Sequence, residues 1–307
     1  MSAPSPNGQS MTGTDWICLL TLSGLWGGAF LFAKIAVGTV PPLTLVLARV
    51  MIAALALLVA LRLAGLRLPA APRAWRDFAA MGVLNNLVPF GLIFHGQVEI
   101  GAGLAAVING MTPFWTALIA RAAGAEPLSP AKLAGIAVGI AGLAVMIGPA
   151  ALAGLDASVV AQLAVIGATL SYGCAGVFGR RFRALPPLVA ATGQLSASSL
   201  LILPVALLVD RPWTLPAPGA EAVGAILALA LFSTALAYIL FFRILASAGA
   251  TNVMLVTLLI PVSAMLLGML VLGEVVTGRQ LLGLALIAVG LACIDGRLPA
   301  RLRAATG

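Results

Sequence analysis

Ten apolar stretches follow one another along this chain, each roughly 16–22 residues long and almost free of charge. A helix needs about 20 predominantly apolar residues to cross the hydrocarbon core of a bilayer. In lipid every backbone N–H and C=O must be satisfied within the spanning structure, which leaves helices and closed barrels. Barrel strands run about ten residues with alternating polarity. These stretches are longer, rich in Ala, Leu, Gly and Val, and do not alternate. The pattern predicts an all-α membrane protein with ten transmembrane helices, near 16–37, 43–61, 78–98, 101–120, 131–149, 159–179, 188–209, 221–242, 251–272 and 280–295. The breaks carry turn or charge signals, such as Pro41-Pro42, Glu126 to Pro130 and Asp210 to Pro218; the weakest is Gln97 to Gly101. A soluble domain is excluded on the same ground. Charged residues make up 8% of the 307, against about 25% in soluble domains.

The few charges set an orientation. With the N-terminus in the cytoplasm, Arg62, Arg67, Arg73, Arg76, Arg121, Lys132, Arg180, Arg181, Arg183, Arg243, Arg297, Arg301 and Arg303 all fall on the cytoplasmic side. Only Arg211 and Arg279 face the other way, and Lys34 and Arg49 lie within helices. Such asymmetry is the positive-inside signal. It puts both termini in the cytoplasm and accounts for the net charge of +8 without nucleic acid. Met1 to Thr14 holds no Lys or Arg, so the first apolar stretch is expected to stay as an anchor rather than act as a cleaved signal. Cys18, Cys174 and Cys293 are scattered through apolar segments, which predicts packing residues rather than disulfides or a metal site.

The chain also repeats itself. A shift of 148 residues lays Gly101-Ala102 on Gly249-Ala250, Pro113 on Pro261, Glu126 on Glu274, Gly135 on Gly283 and Gly142-Leu143-Ala144 on Gly290-Leu291-Ala292. Leu22-Ser23 falls on Leu170-Ser171 and Phe30 on Phe178. Each half then holds five helices, and an odd number inserts the halves in opposite orientations. Inverted repeats are common in secondary transporters, with the substrate site near the midplane between the halves. The expected organisation is a tail at 1–15, a first repeat at 16–149, a second at 150–295 and a basic tail at 296–307.

Several segments resemble the drug/metabolite transporter superfamily, in particular its EamA-type bacterial members. The first helix reads Leu25-Trp26-Gly27-Gly28-Ala29-Phe30, followed by Lys34. Pro41 to Arg49 resembles the family's entry into the second helix, and Gly103 to Gly142 its first-half core. Ser233-Thr234-Ala235-Leu236-Ala237-Tyr238, Pro261, Gly268, Leu272-Gly273-Glu274 and Gly283 continue the likeness in the second half. The resemblance covers nearly the whole chain. It implies the ten-helix fold and export of small solutes across the bacterial inner membrane, and leaves the substrate open.

Polar groups at membrane depth are few. Arg49 lies about six residues into its helix, roughly 9 Å deep, where burial costs about 2.5–3.5 kcal/mol even on lenient scales. It needs a carboxylate, a set of carbonyls or a substrate anion; it either ties helices together or lines the substrate cavity. Lys34, near the outer end of the first helix, either snorkels or pairs structurally, or contacts substrate. Asn85, Asn86, Gln97 and Asn109 either line a cavity or bond helix to helix. Trp26, Tyr172 and Tyr238 are cavity-wall or packing residues. His95, with Glu99 four residues on, is a candidate proton-coupling pair. Pro113 and Pro261 are expected to bend the fourth and ninth helices. Glu126 and Glu274 stand before the fifth and tenth helices, where an acid suits the helix dipole, or at gates. Ser129-Pro130 reads as an N-cap and Thr277 with Gln280 as a capping box.

The leading expectation is alternating-access transport of a small polar or amphipathic solute, such as an amino acid, metabolite or drug. A basic residue, amides and aromatics fit a carboxylate with an apolar part. A channel or structural helper in a membrane complex is the alternative. The chain has one His and nine carboxylates, and no HExxH, GxSxG or phosphate loop, so an enzyme is not expected. No cofactor or metal is implied; the partners are a small-molecule substrate and the lipid bilayer, with a homodimer left open.

Overall fold

The computed structural model describes residues 11–148 and 156–294, apart from the side chains at 250 and 251. Among them every regular element is helical. Eight helices are long and apolar enough to cross a membrane: α1 (Gly13–Val37), α2 (Pro42–Leu63), α3 (Pro72–Glu99), α4 (Ala102–Ala122), α5 (Pro130–Ile147), α6 (Ala157–Phe182), α7 (Pro187–Val209) and α8 (Ala220–Gly249). Two shorter apolar helices follow, α9 (Val256–Leu272) and α10 (Gly278–Ile294). The tails expected at 1–15 and 296–307 lie mostly outside the described residues.

Local chemistry starts the helices where the sequence signals it. Pro stands in the first turn of α2, α3, α5 and α7, where its missing N–H costs nothing. Thr12 and Asp15 form a capping box at α1, Ser129 caps α5, and Asp156 accepts from Val159 N at 2.7 Å to cap α6. Thr277 and Gln280 exchange hydrogen bonds of 2.9 and 3.3 Å before α10. The weakest break is real: Ile100 and Gly101 are extended, and α4 starts at Ala102. The third helix starts at Pro72, six residues before the apolar pattern does. Its first turns are polar, with Arg73, Arg76 and Asp77, so hydropathy alone misses them.

The two halves pack by one scheme. Helix α1 packs on α9 and α8, and α6 packs on α4 and α3. Helix α2 packs on α8, and α7 on α3. Exchanging the halves turns each of these pairs into another. The pairs α2 on α7, α4 on α9 and α5 on α10 map onto themselves. Glycines allow the closest approach. A Cβ on Gly135 would lie 2.6 Å from the Gly290 carbonyl oxygen, and one on Gly142 2.9 Å from that of Gly283. These reciprocal contacts make α5 and α10 antiparallel, with backbones in direct van der Waals contact, as small residues permit in lipid. Thr44, at the start of α2, bonds Asp210, at the end of α7, so that pair is antiparallel too. Large apolar side chains remain on the outside, such as Leu63 at 84% exposed, Leu208 at 72% and Leu270 at 81%, as a lipid-facing surface requires.

Two helices widen in mid-course. Residues Val83–Leu87 of α3 and Ala228–Leu236 of α8 are π-helical. The 148-residue shift lays 83–87 on 231–235, inside the second segment. Such bulges cluster at functional sites, because each frees a carbonyl and turns side chains out of the α-helical register.

Candidate functional site

The two π segments carry equivalent polar pairs, Asn85-Asn86 in α3 and Ser233-Thr234 in α8. Each pair meets a polar group from α2 or α7. Asn86 Nδ2 donates to Ser198 Oγ of α7 at 2.9 Å. Opposite, Arg49 Nε of α2 donates to Thr234 Oγ1 at 3.0 Å. The π geometry makes these contacts: Thr234 Oγ1 in turn donates a hydrogen bond to the freed Leu229 carbonyl at 2.8 Å. Leu84 likewise offers its carbonyl to Ser171 Oγ of α6 at 2.8 Å.

Arg49 is only 8% exposed. Its guanidinium carbon lies over Phe90, 3.7 Å from the ring centroid, with Phe94 at 5.8 Å. Tyr172 and Tyr238 pack against the same core as Phe90 and Phe94. Among the described residues the Nε is its only hydrogen-bonded nitrogen, and no carboxylate lies within ion-pair distance. Removing an ion of this size from water costs several kcal/mol. A desolvated cation–π contact returns about 2 kcal/mol and one charged hydrogen bond about 1.5–3 kcal/mol. The charge is held in place, but two of its three nitrogens remain open.

Beside it, Tyr238 Oη accepts from Asn85 Nδ2 at 3.3 Å and Gln194 Nε2 at 3.4 Å. Asn85 also donates to Gln194 Oε1 at 3.3 Å. Tyr238 stacks on Phe242, which meets Phe241 and then Trp26. The result is a polar centre built from α2, α3, α7 and α8 with one aromatic flank. Buried side-chain atoms without a partner among the described residues include Asn86 Oδ1, Asn109 Oδ1, Trp115 Nε1 and Ser233 Oγ. Buried polar atoms are nearly always bonded, so Asn86 and Ser233, one in each π segment, stand out.

The other sequence candidates fall elsewhere. Lys34 Nζ donates to the carbonyls of Gln97 at 2.6 Å and Val98 at 3.2 Å, closing the C-terminal end of α3 as a basic group suits. Gln97 reaches across to the Phe30 carbonyl at 2.8 Å. His95 and Glu99 are both exposed, with no ion pair between them among the described residues. Pro113 follows directly on an interruption of α4 at Gly110 and Met111, whereas Pro261 sits inside an unbroken α9. Glu126 pairs with Arg180 at 2.6 Å and Lys132 at 3.6 Å. Glu274 does not serve α10, the helix it precedes. It accepts from Ala102 N at 2.6 Å and Gly103 N at 3.0 Å, capping α4 in the other half. Thr234, Gln194, Ser198 and Phe90 belong to the centre and were not singled out from the sequence. Thr234 was read only within the Ser233 to Tyr238 segment, and the 148-residue shift that lays Asn85-Asn86 on Ser233-Thr234 was its signal; Gln194, Ser198 and Phe90 had none.

Repeated helix pairs around a polar centre, with lipid-compatible surfaces, define a multi-pass membrane transporter. The EamA-like transporter family matches residues 14–148 and 159–294, and the chain belongs to that family. Among similar proteins are the "Uncharacterized transporter YoaV" of Bacillus subtilis, 24% identical over 82% of this chain and 86% of that one, and the "Uncharacterized inner membrane transporter YedA" of Escherichia coli, 28% identical over 81% and 80%. The "Uncharacterized transporter YvbV" of Bacillus subtilis is 28% identical over 92% of both chains. A solved crystal structure covers 92% of this chain and 97% of its own at TM-score 0.65 and 22% identity, which speaks to the fold alone.

Proposed function

We propose that the protein is a secondary transporter of the drug/metabolite type in the bacterial inner membrane. It moves a small polar or amphipathic solute by alternating access, outward. All ten helices span, as two inverted repeats at 16–149 and 150–295, with both termini cytoplasmic. The antiparallel packing of the equivalent pairs α2 and α7, and α5 and α10, favours inversion. Helices α9 and α10 have 17 residues each, about 26 Å at 1.5 Å per residue, close to the thinner biological bilayers. The positive-inside distribution supports the orientation, and the name of the YedA relative supports the inner membrane.

One observation carries the proposal: equivalent π segments of the two halves place their polar pairs around a buried cation. In inverted-repeat carriers the substrate site lies at the repeat interface, where helices are broken. Arg49, Tyr172, Tyr238, Asn86 and Asn109 are its substrate residues. Trp26 forms the far end of the aromatic flank, and Lys34 supports the fold beside it. Counterflow in proteoliposomes tests the proposal. Vesicles loaded with pooled amino acids, metabolites or drugs should accumulate one label against its gradient, saturably. Non-saturating conductance with no accumulation refutes the carrier and favours a channel.

A further inference from the structure

We infer that the polar centre takes an organic monoanion: a carboxylate on a ring-bearing apolar body, without an ammonium group. This deepens the transporter proposal and rests on it. The argument starts from charge. Arg49 is buried, its Cζ lies over Phe90, and among the described residues only Nε is hydrogen-bonded. The open edge presents the terminal N–H groups in one plane, the fork that matches a carboxylate. Tyr238 Oη accepts from two amides, which leaves its own O–H to donate as well. The centre therefore offers charged and neutral donors together.

Among the described residues no carboxylate stands in it to pair with a cation. Of the nine carboxylates, Asp15 is held by Thr12 and Ser247, Asp77 pairs with Arg181 and Glu126 with Arg180. Asp156 caps α6, Asp210 holds Thr44, and Glu274 caps α4. Glu99 and Glu221 are exposed at helix ends, and Asp295 lies outside the described residues. The position equivalent to Arg49 in the second half is Ala197, buried and apolar, so the repeat supplies no counter-charge either. The orphaned oxygens of Asn86 and Ser233 can accept from a hydroxyl. Being uncharged, they do not offset the desolvation of an ammonium. The run of rings from Tyr238 through Phe242 and Phe241 to Trp26 gives a flat apolar body a surface to lie on.

Three probes of one shape separate the charge classes: 4-hydroxyphenylacetate, tyrosine and tyramine. In counterflow with the full-length protein in proteoliposomes, labelled 4-hydroxyphenylacetate should accumulate at least about tenfold over the other two, the ratio that one buried charge pair readily supplies. Arg49→Gln, checked for a monodisperse folded protein, should lose that accumulation; Arg49→Lys, which keeps the charge without the fork, should retain a part of it. Tyrosine or tyramine moving as well as the anion overturns the inference, as does undiminished anion flux in folded Arg49→Gln. The comparison among probes uses the native protein, so it stands even if the variants fail to fold. If none of the three moves while another pooled solute does, the inference falls and the transporter proposal remains. If nothing moves from any pool, both fall.

Discussion

The Glu274 carboxylate crosses between the halves to cap α4, and three glycines make the space for it. A Cβ at Gly101 would lie 2.7 Å from that carboxylate, one at Gly268 2.5 Å, and one at Gly103 3.4 Å. The two hydrogen bonds satisfy N–H groups that no turn of α4 can reach. Bonds to a charged group contribute about 1.5–3 kcal/mol each; part exposure lowers the sum, so Glu274→Ala should cost about 2–4 kcal/mol. Gly268→Ala should cost nearly as much, because the methyl displaces the carboxylate, less about 1 kcal/mol for better helix propensity in α9. The informative measurement is the double variant. With Glu274 truncated, the three atoms nearest the Gly268 methyl are gone, so Glu274→Ala with Gly268→Ala should be no less stable than Glu274→Ala alone. Unfolding titrations in detergent, run as a double-mutant cycle, should therefore give a coupling of about 2–3 kcal/mol. Additive costs would mean that the glycine and the carboxylate do not share that space, and the latch between the halves would have to be abandoned.

Four other outcomes follow from the same geometry. Thr234→Val removes the acceptor of Arg49 and the donor to Leu229 together; a loss of about 2–4 kcal/mol is expected, and an unchanged unfolding midpoint would refute the pairing. Gly142→Val should destabilise by about 1–3 kcal/mol, since even a Cβ there lies 2.9 Å from the Gly283 oxygen. Gly24→Ala, whose Cβ meets nothing within 4 Å, should be neutral or gain up to about 1 kcal/mol in the same titration. For orientation, single cysteines at Arg183 and Arg211 in a background without Cys18, Cys174 and Cys293 should label from opposite faces of the membrane, the first only from the cytoplasm.

The helices were legible because lipid imposes one rule on every span, so length and apolarity suffice. The turn at Ile100 and Gly101 and the caps at Ser129 and Thr277 were legible because each is decided by neighbours in sequence. Arg49 stood out by cost alone. What lay beyond reach depended on contacts between distant segments. Glu274 precedes α10 in sequence but closes α4, about 170 residues away in the chain. Lys34 could snorkel or pair, and only the approach of the α3 end decides for the Gln97 and Val98 carbonyls. The π segments left no mark in hydropathy, because an extra residue in a turn changes register and not composition. Their trace was a pair of polar residues at the same place in each repeat.

The repeat holds in the scaffold and fails in the chemistry. Gly135 and Gly283, Gly142 and Gly290, and both π segments obey it, because helix packing depends on residue size and backbone alone. The charged positions do not. Arg49 corresponds to Ala197. Glu126 corresponds to Glu274, yet where Glu274 finds Gly268, Glu126 has Ala120 at the equivalent place and pairs with Arg180. In a symmetric carrier the two faces of the membrane would see the same site and the same gate. Under the proposed alternating access, the cation here stays with α2 whichever side is open, while the carboxylate latch closes only the end where α4 begins. Opening that end must break two charged hydrogen bonds, whereas opening the other breaks ion pairs already wet by solvent. At the exposed Glu126 end such pairs are worth about 0–1 kcal/mol. The empty protein should therefore rest with the α4 entrance closed, and Glu274→Gln, which keeps shape but drops charge, should shift accessibility of a cysteine at Leu104 toward that side. Unchanged labelling in that variant would show that the latch does not set the resting state.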